Sequence, residues 1–331
     1  MRILLAIVIL AALAWSGFWW FNASARERAL ERWLAERRAD GWQAEVADLG
    51  VTGFPNRVDV LVTDLRLADP EAGWSWHAAE FQILSLAWKP HQFIVALPGQ
   101  QVVATPHETL TATSDLLRGS VAFRPNPRLE LDRSTFEIEG MAIASDLGWT
   151  AEVGKAILAT RQTAGVPFAH DVAFNAESLR LPEGAAGPAR DVLPESLGPL
   201  ALDTTHGFDR PWDRASVEGD NPALGAVDLR KLSVAWGELD LSGSGAVVAD
   251  AEGYAEGRLD LRARNWRLML DVAEASGGLS PTVASAVRAG LGLLAGFGGD
   301  ADTLSAPLEF GDGRTRLGPI PLGPAPRLAG R

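Results

Sequence analysis

An uncharged apolar stretch from Ile3 to Phe21 constrains the fold of this chain more than any motif does. At about 1.5 Å of rise per residue, a helix of this length crosses a hydrocarbon core of about 30 Å. The stretch ends in an aromatic cluster, Phe18 to Phe21, and amphipathic rings favour the membrane interface. The sequence therefore predicts a single-pass membrane anchor that contacts the bilayer through residues 3–21.

Two other interpretations of this stretch stay open. Arg2 and the small residues Ala23 and Ala25 resemble the ends of a cleaved signal peptide, although an apolar signal core usually has about 7–15 residues. A buried core helix is the third interpretation. The anchor is favoured because bulky rings crowd the cleavage position.

The charges around the stretch give conflicting signals about orientation. Arg2 precedes it, whereas five arginines follow it up to Arg38, and the positive-inside bias would keep that side in the cytoplasm. Acidic residues are interleaved among those arginines, however, and long domains are translocated largely regardless of charge. We expect the bulk of the chain to lie in the periplasm, anchored in the bacterial inner membrane.

Composition excludes several classes of function. The formal net charge of the 331 residues is −12, so nucleic acid is not expected as a partner. No cysteine is present, which removes disulfides, thiol catalysis and cysteine-based metal sites. Hydrophobic residues make up 47% of the chain, too many for a mainly disordered protein.

Beyond the anchor, the period of the apolar residues divides the chain. Helical spacing continues to Gly41, then strict alternation such as Val58, Val60 and Val62 indicates strands, and helical spacing returns after Asn265. The predicted segments follow in chain order. They are an anchor (1–25), a juxtamembrane helix (26–41), an N-terminal β half (42–180), a loop or linker (181–199), and a C-terminal β half (200–331) with a helical hairpin at 265–296.

The predicted fold class follows from these segments. It is mainly β (α+β), with an N-terminal transmembrane helix, a curved and mostly antiparallel β-sheet domain, and a C-terminal helical hairpin.

No catalytic, metal or cofactor site is expected. None of the five histidines has another within four positions, so each is interpreted as a turn or surface residue. Ser242 lacks the glycine that opens a nucleophile elbow, and the glycines around it indicate a bulge or a close backbone approach. Asp59, Asp64 and Asp69 would need partners from other strands to act as an acid–base pair. We expect a protein that is not an enzyme, and a hydrolase stays a remote alternative.

Tryptophan is abundant, with nine of the 12 beyond the apolar stretch. These rings either fill a core or line an apolar groove for acyl chains, and both interpretations stay open. The candidate groove residues are Trp74, Trp76, Trp88, Trp149 and Trp236.

Several segments resemble an uncharacterised proteobacterial family of membrane-anchored envelope proteins, a domain of unknown function. They are the anchor, Gly53–Asp59, Thr63–Pro70, the helices from Asn265 and Gly318–Pro326. More loosely, Ala235–Gly245 and Glu256–Leu261 are similar to AsmA-type proteins. That resemblance implies curled sheets with an apolar groove and a role in moving lipid or assembling the outer membrane. The expected function is therefore a groove for lipid or another apolar ligand, and the alternative is a scaffold that binds an envelope protein.

Overall fold

The computed structural model describes residues 1–182, 193–219, 221–275, 277–297 and 302–328. It is mostly antiparallel β-sheet with an N-terminal apolar helix and a short C-terminal helical region, as the sequence predicted. Four helices are described in these residues: α1 (Arg2–Ala39), α2 (Arg214–Glu218), α3 (Trp266–Ala275) and α4 (Pro281–Phe297).

Twenty strands are described in the same residues and are numbered in chain order; the chain divides into two compact units, with one boundary inside the ninth strand. The first ten are β1 (Gln43–Glu45), β2 (Asp48–Thr52), β3 (Asp59–Asp69), β4 (Trp74–Ser85), β5 (Gln92–Ala96), β6 (Gln101–Ala104), β7 (Thr109–Thr113), β8 (Leu116–Phe123), β9 (Leu131–Ser145) and β10 (Thr150–Gln162). The others are β11 (Ala169–Ala176), β12 (Leu179–Arg180), β13 (Ser196–Leu197), β14 (Leu200–Phe208), β15 (Leu224–Trp236), β16 (Leu239–Ala249), β17 (Ala255–Arg264), β18 (Thr303–Gly311), β19 (Arg314–Leu317) and β20 (Ile320–Pro324).

The first unit comprises Met1–Phe123 and Phe136–Trp149. Its sheet is built around the antiparallel pair β3–β4. Strand β3 also pairs with β1 and β2, and β4 pairs with β5 through one half and with β6 through the other. The residues from Trp74 to Trp88 would by pattern alone suggest a returning pair of strands, but Trp74–Ser85 forms one long strand because no glycine or proline interrupts it.

Helix α1 packs on this sheet through its C-terminal half. Leu34 is buried among Val60, Val62 and Leu67, and Ala23 is buried against Val58. The segment predicted as a separate juxtamembrane helix, 26–41, therefore continues the apolar N-terminal helix without a break. It ends at Ala39, and Gly41 follows with a φ of +90°, a left-handed conformation that glycine adopts without strain.

The second unit comprises Arg124–Thr135 and Thr150–Arg331. Its strands form an antiparallel sheet in the order β10, β11, β14, β15, β16, β17, β18, β19, β20, and β12 pairs with both β10 and β13. The predicted helical hairpin corresponds to α3 and α4, whose apolar residues pack on one end of this sheet.

The two units do not coincide with the predicted halves 42–180 and 200–331. Strands β11 and β14, which flank the predicted loop or linker 181–199, pair directly with each other, so both belong to the second unit. Most of that segment, residues 183–192, lies outside the described residues, while the short strands β12 and β13 on either side of it pair together.

Candidate functional site

Two of the predicted groove residues, Trp74 and Trp76, lie side by side on β4 and pack against the apolar cluster beneath α1. The Trp76 Nε1 donates a hydrogen bond to Gln101 Oε1 (3.1 Å), and the Trp74 ring makes an edge contact with Trp42 at 5.2 Å between centroids. Both rings are half-buried against this cluster, and their role in a groove stays a prediction.

The other three candidates lie in different surroundings. Trp88 is exposed over 51% of its surface. Trp149 is half-buried and donates from Nε1 to Glu108 Oε2 at 2.9 Å. In the second unit, Trp236 is buried against Leu239 and donates from Nε1 to the Pro194 carbonyl at 2.7 Å.

A different set of residues forms a broad apolar surface in the second unit. Side chains of residues that oppose each other in an antiparallel pair share one face of the sheet. The strand register therefore aligns them in rows across the sheet. One row runs Leu158, Phe174, Leu202, Leu232, Gly243, Leu261 and Ala306. A neighbouring row contains Leu229, Gly245, Leu259, Leu308 and Leu317.

Helices α3 and α4 cover only part of this surface. Ala263, Leu304 and Ala306 are buried in one cluster with Val287 and Leu291 of α4. Six large residues on the same face are only half-buried and belong to none of the buried clusters in the described part of the chain. We call them the apolar face: Phe174, Leu202, Leu232, Leu259, Leu261 and Leu308.

The opposite side of the same strands is polar. Asp171 accepts hydrogen bonds from Thr205 Oγ1 (3.0 Å) and from Arg230 Nη1 and Arg161 Nε (both 3.1 Å). Burial alone would raise the pKa of Asp171, but these hydrogen bonds outweigh it and lower the pKa to about 2. The two faces of the sheet therefore differ sharply in polarity. An apolar face that stays partly exposed to solvent calls for a functional explanation.

Two glycines in the middle of β16 leave room for the Leu261 side chain and for a close approach of the neighbouring backbone. A Cβ on Gly243 would lie 2.7 Å from Leu261 Cδ2, and one on Gly245 would lie 2.2 Å from the Arg258 carbonyl oxygen. Gly245 has a φ of +144°, which L-residues rarely adopt. The close backbone approach predicted for the Ser242–Gly245 segment is thus present, in the middle of β16.

Two histidines stand at one end of this face, contrary to the prediction of turn or surface positions. His170 on β11 opposes His206 on β14, and the His170 side chain is 5% exposed. The Phe208 ring makes edge contacts with both imidazoles, each at 6.4 Å between centroids. Because 36 residues separate the two histidines, local spacing could not show that they pair.

Hydrogen bonding and burial define the state of this pair. The His206 Nε2 lies 3.1 Å from Thr204 Oγ1, whereas the His170 Nδ1 is buried without a hydrogen-bond partner among the described residues. Burial lowers the pKa of His170 and of His206, because water no longer solvates the charged imidazolium. At neutral pH the pair therefore presents uncharged imidazoles beside an apolar surface.

The three aspartates that could serve acid–base chemistry, Asp59, Asp64 and Asp69, each pair with a nearby residue. Asp59 forms an ion pair with Arg57 at 2.7 Å, and Asp64 contacts His77 Nε2 at 2.6 Å. Asp69 caps its own turn by accepting from the Glu71 backbone N–H at 3.0 Å. Within the described ranges, no group of three or more acidic or histidine side chains could hold a metal ion.

One family comparison identifies the chain's relatives. The sequence profile of a bacterial family described as an uncharacterized protein conserved in bacteria (DUF2125) matches residues 19–326. The chain belongs to this family. No curated protein and no solved structure matches it. The family match confirms the first resemblance noted in the sequence, and the looser similarity to AsmA-type proteins stays a prediction.

The apolar face could have been found from the strand pattern. Each strand contributes residues of one parity, such as Leu200 and Leu202 on β14 or Leu259 and Leu261 on β17. The tryptophans, the largest apolar side chains, lie elsewhere: Trp74, Trp76 and Trp236 pack in apolar clusters. The smaller leucines carry the exposed surface.

Proposed function

We propose that this family member is a membrane-anchored envelope protein that holds the acyl chains of a lipid, or a similar apolar ligand, on the apolar face of its second unit. The observation that carries the proposal is the set of six large, half-buried side chains on the apolar face, beside a part of the same surface that α3 and α4 do cover. Hydrocarbon chains would bury this surface without leaving polar groups unpaired.

The membrane part of the proposal rests on α1. This helix is long and apolar enough to cross a bilayer, and every residue from Ile3 to Ala14 is exposed. We place the helix in the bacterial inner membrane and the β units in the periplasm. A role in lipid transport or outer-membrane maintenance is consistent with these positions.

The lipid that copurifies with the protein tests the proposed ligand. The full-length protein, extracted gently from membranes, should carry phospholipid or fatty acid that mass spectrometry detects. The double variant L202Q/L232Q should carry at least tenfold less, because a fully buried side chain contributes about 1.5–3 kcal/mol and even half of that at each of the two positions matches or exceeds the roughly 1.4 kcal/mol of a tenfold change. The control K231Q/S233Q changes the polar face of β15 and should retain the lipid, since Lys231 and Ser233 oppose Asp203 and Ala201.

Orientation can be tested because the chain contains no cysteine. Leu147, an apolar turn residue that is 68% exposed, can be replaced as L147C and treated with a membrane-impermeant maleimide in cells with a permeable outer membrane. We expect labelling before lysis, as for a periplasmic residue. Labelling only after lysis would place the units in the cytoplasm. The parent chain, which has no cysteine, shows the background labelling.

The alternative is a scaffold whose apolar face binds an envelope protein. Such a surface would be buried by a protein partner rather than by lipid. A purified chain without lipid, and with one dominant protein cross-linked to it in cells, would favour the scaffold.

A further inference from the structure

Helix α1 contacts the first unit well before its apolar stretch ends. The Trp15 Nε1 donates to the Pro55 carbonyl at 3.0 Å, and the Trp19 Nε1 donates to the Arg57 carbonyl at 2.5 Å. The Trp19 ring also makes an edge contact with Phe54, with 5.5 Å between centroids. The turn from Gly53 to Arg57 is thus fixed to a part of α1 that precedes Phe21.

The length of the uncharged stretch decides where this turn lies. The part of α1 with every side chain exposed, Ile3–Ala14, provides only about 18 Å, whereas a hydrocarbon core is about 30 Å thick. Charged Arg2 bounds the stretch on one side, so the span must extend to about Asn22. Trp15 then lies about 10 Å below Asn22, on the membrane side.

We infer that the Gly53–Arg57 turn, with Leu86 and Trp88 beside it, lies in the headgroup and upper acyl region of the bilayer that α1 spans. The partner at this surface is phospholipid. The inference rests on the membrane anchoring proposed above and adds a second contact with the same bilayer, made by the β-sheet unit itself.

The hydrogen bonding of the turn suits such a place, where backbone groups exposed to lipid must find partners inside the protein. Its carbonyl oxygens accept from Arg57 N (Gly53 O, 2.7 Å), Trp15 Nε1 (Pro55 O), Ala87 N (Asn56 O, 2.9 Å) and Trp19 Nε1 (Arg57 O). Proline at position 55 has no N–H to satisfy. Indole donors from the helix therefore replace the water that a surface turn would use.

The side chains around the turn are also those of an interfacial surface. Phe54 is 56% exposed, Trp88 51% and Leu86 38%, which is costly in water for neighbouring large residues. On α1, Trp20, which follows Trp19 in the chain, is 66% exposed. Aromatic rings concentrated at one level and basic residues such as Lys89 nearby are typical of a headgroup layer.

Site-directed spin labelling of the full-length chain in vesicles of phosphatidylethanolamine and phosphatidylglycerol tests this inference. Single nitroxide labels are placed at F54C, W88C, W20C and, as an exposed apolar control in the first unit, L147C. Collision rates with oxygen, which enters lipid, and with a water-soluble nickel chelate report the depth of each label. We expect the oxygen-to-nickel ratio at Phe54 and Trp88 to exceed that at Leu147 several-fold and to approach the ratio at Trp20.

The outcomes separate this inference from the anchor. If Trp20 lies in lipid while Phe54 or Trp88 gives the aqueous ratio of Leu147, the turn is outside the bilayer and the inference is wrong, although the anchor stands. If Trp20 itself gives the aqueous ratio, α1 does not span the membrane and the anchor fails as well. Because all four residues are exposed, the substitutions should leave the fold intact, which circular dichroism can verify.

Discussion

His170 shows how strand pairing changes the meaning of a single residue. In the sequence it stands at the start of a strand with no other histidine nearby, and the structure places it opposite His206 with 5% of its surface exposed. The burial that follows from this pairing lowers the pKa of both imidazoles. Their neutral form is therefore part of the folded state.

The free energy of unfolding should fall when the pH is lowered through about 6.5, the ordinary pKa of histidine. The unfolded chain then takes up protons that the folded His170 and His206 resist, so the folded state loses stability as the pH falls. Urea titrations between pH 8 and 5 would measure this. The variant H206Q should flatten the dependence, and H107Q, at an exposed position, should leave it unchanged. If the free energy of unfolding depended equally on pH in the parent chain and in both variants, the dependence would not come from His170 and His206.

At the scale of elements, local alternation predicted most strands within a few residues. The alternation by itself indicates strands at Leu200–Phe208 and at 238–249, and the structure has β14 with the first bounds and β16, Leu239–Ala249, at the second. Alternation is a local property, so it marks strands without naming their partners. The pairing of β11 with β14 across the 181–199 segment, and with it the His170–His206 contact, could not be read from the chain.

Leucines of the helical hairpin and of the apolar face differ in burial. Leu291 on α4 is 2% exposed within a cluster that includes Trp266 and Val287, whereas Leu261 on β17 is half-buried. L291A should therefore lower the free energy of unfolding by about 2–5 kcal/mol, the usual cost of a cavity in a packed core. L261A should lower it much less, and chemical denaturation would compare the two. An equal loss for both would mean that Leu261 belongs to the core and that the apolar face is not a free surface.

At the scale of the whole molecule, anchoring and ligand binding are assigned to different parts of the chain. We propose that helix α1 and the first unit contact the membrane, whereas the second unit carries the apolar face. The sequence indicated the apolar N-terminal helix through its continuous apolar run, and the mainly β fold and the helical hairpin through their periodic patterns. It could not show that Trp74, Trp76 and Trp236 pack in apolar clusters, because cross-strand pairing and helix packing create those clusters; a groove role for these rings stays a prediction.

Photo-cross-linking in living cells at two neighbouring positions tests the central claim most directly. A benzophenone amino acid is placed at Leu261, on the apolar face, or at Arg262, on the polar side of the same strand. Mass spectrometry of the irradiated, full-length protein then identifies what each position contacts. We predict lipid adducts at position 261 and few or none at position 262. Equal lipid labelling at both positions, or a single protein adduct at 261, would contradict the claim that this face holds an apolar ligand.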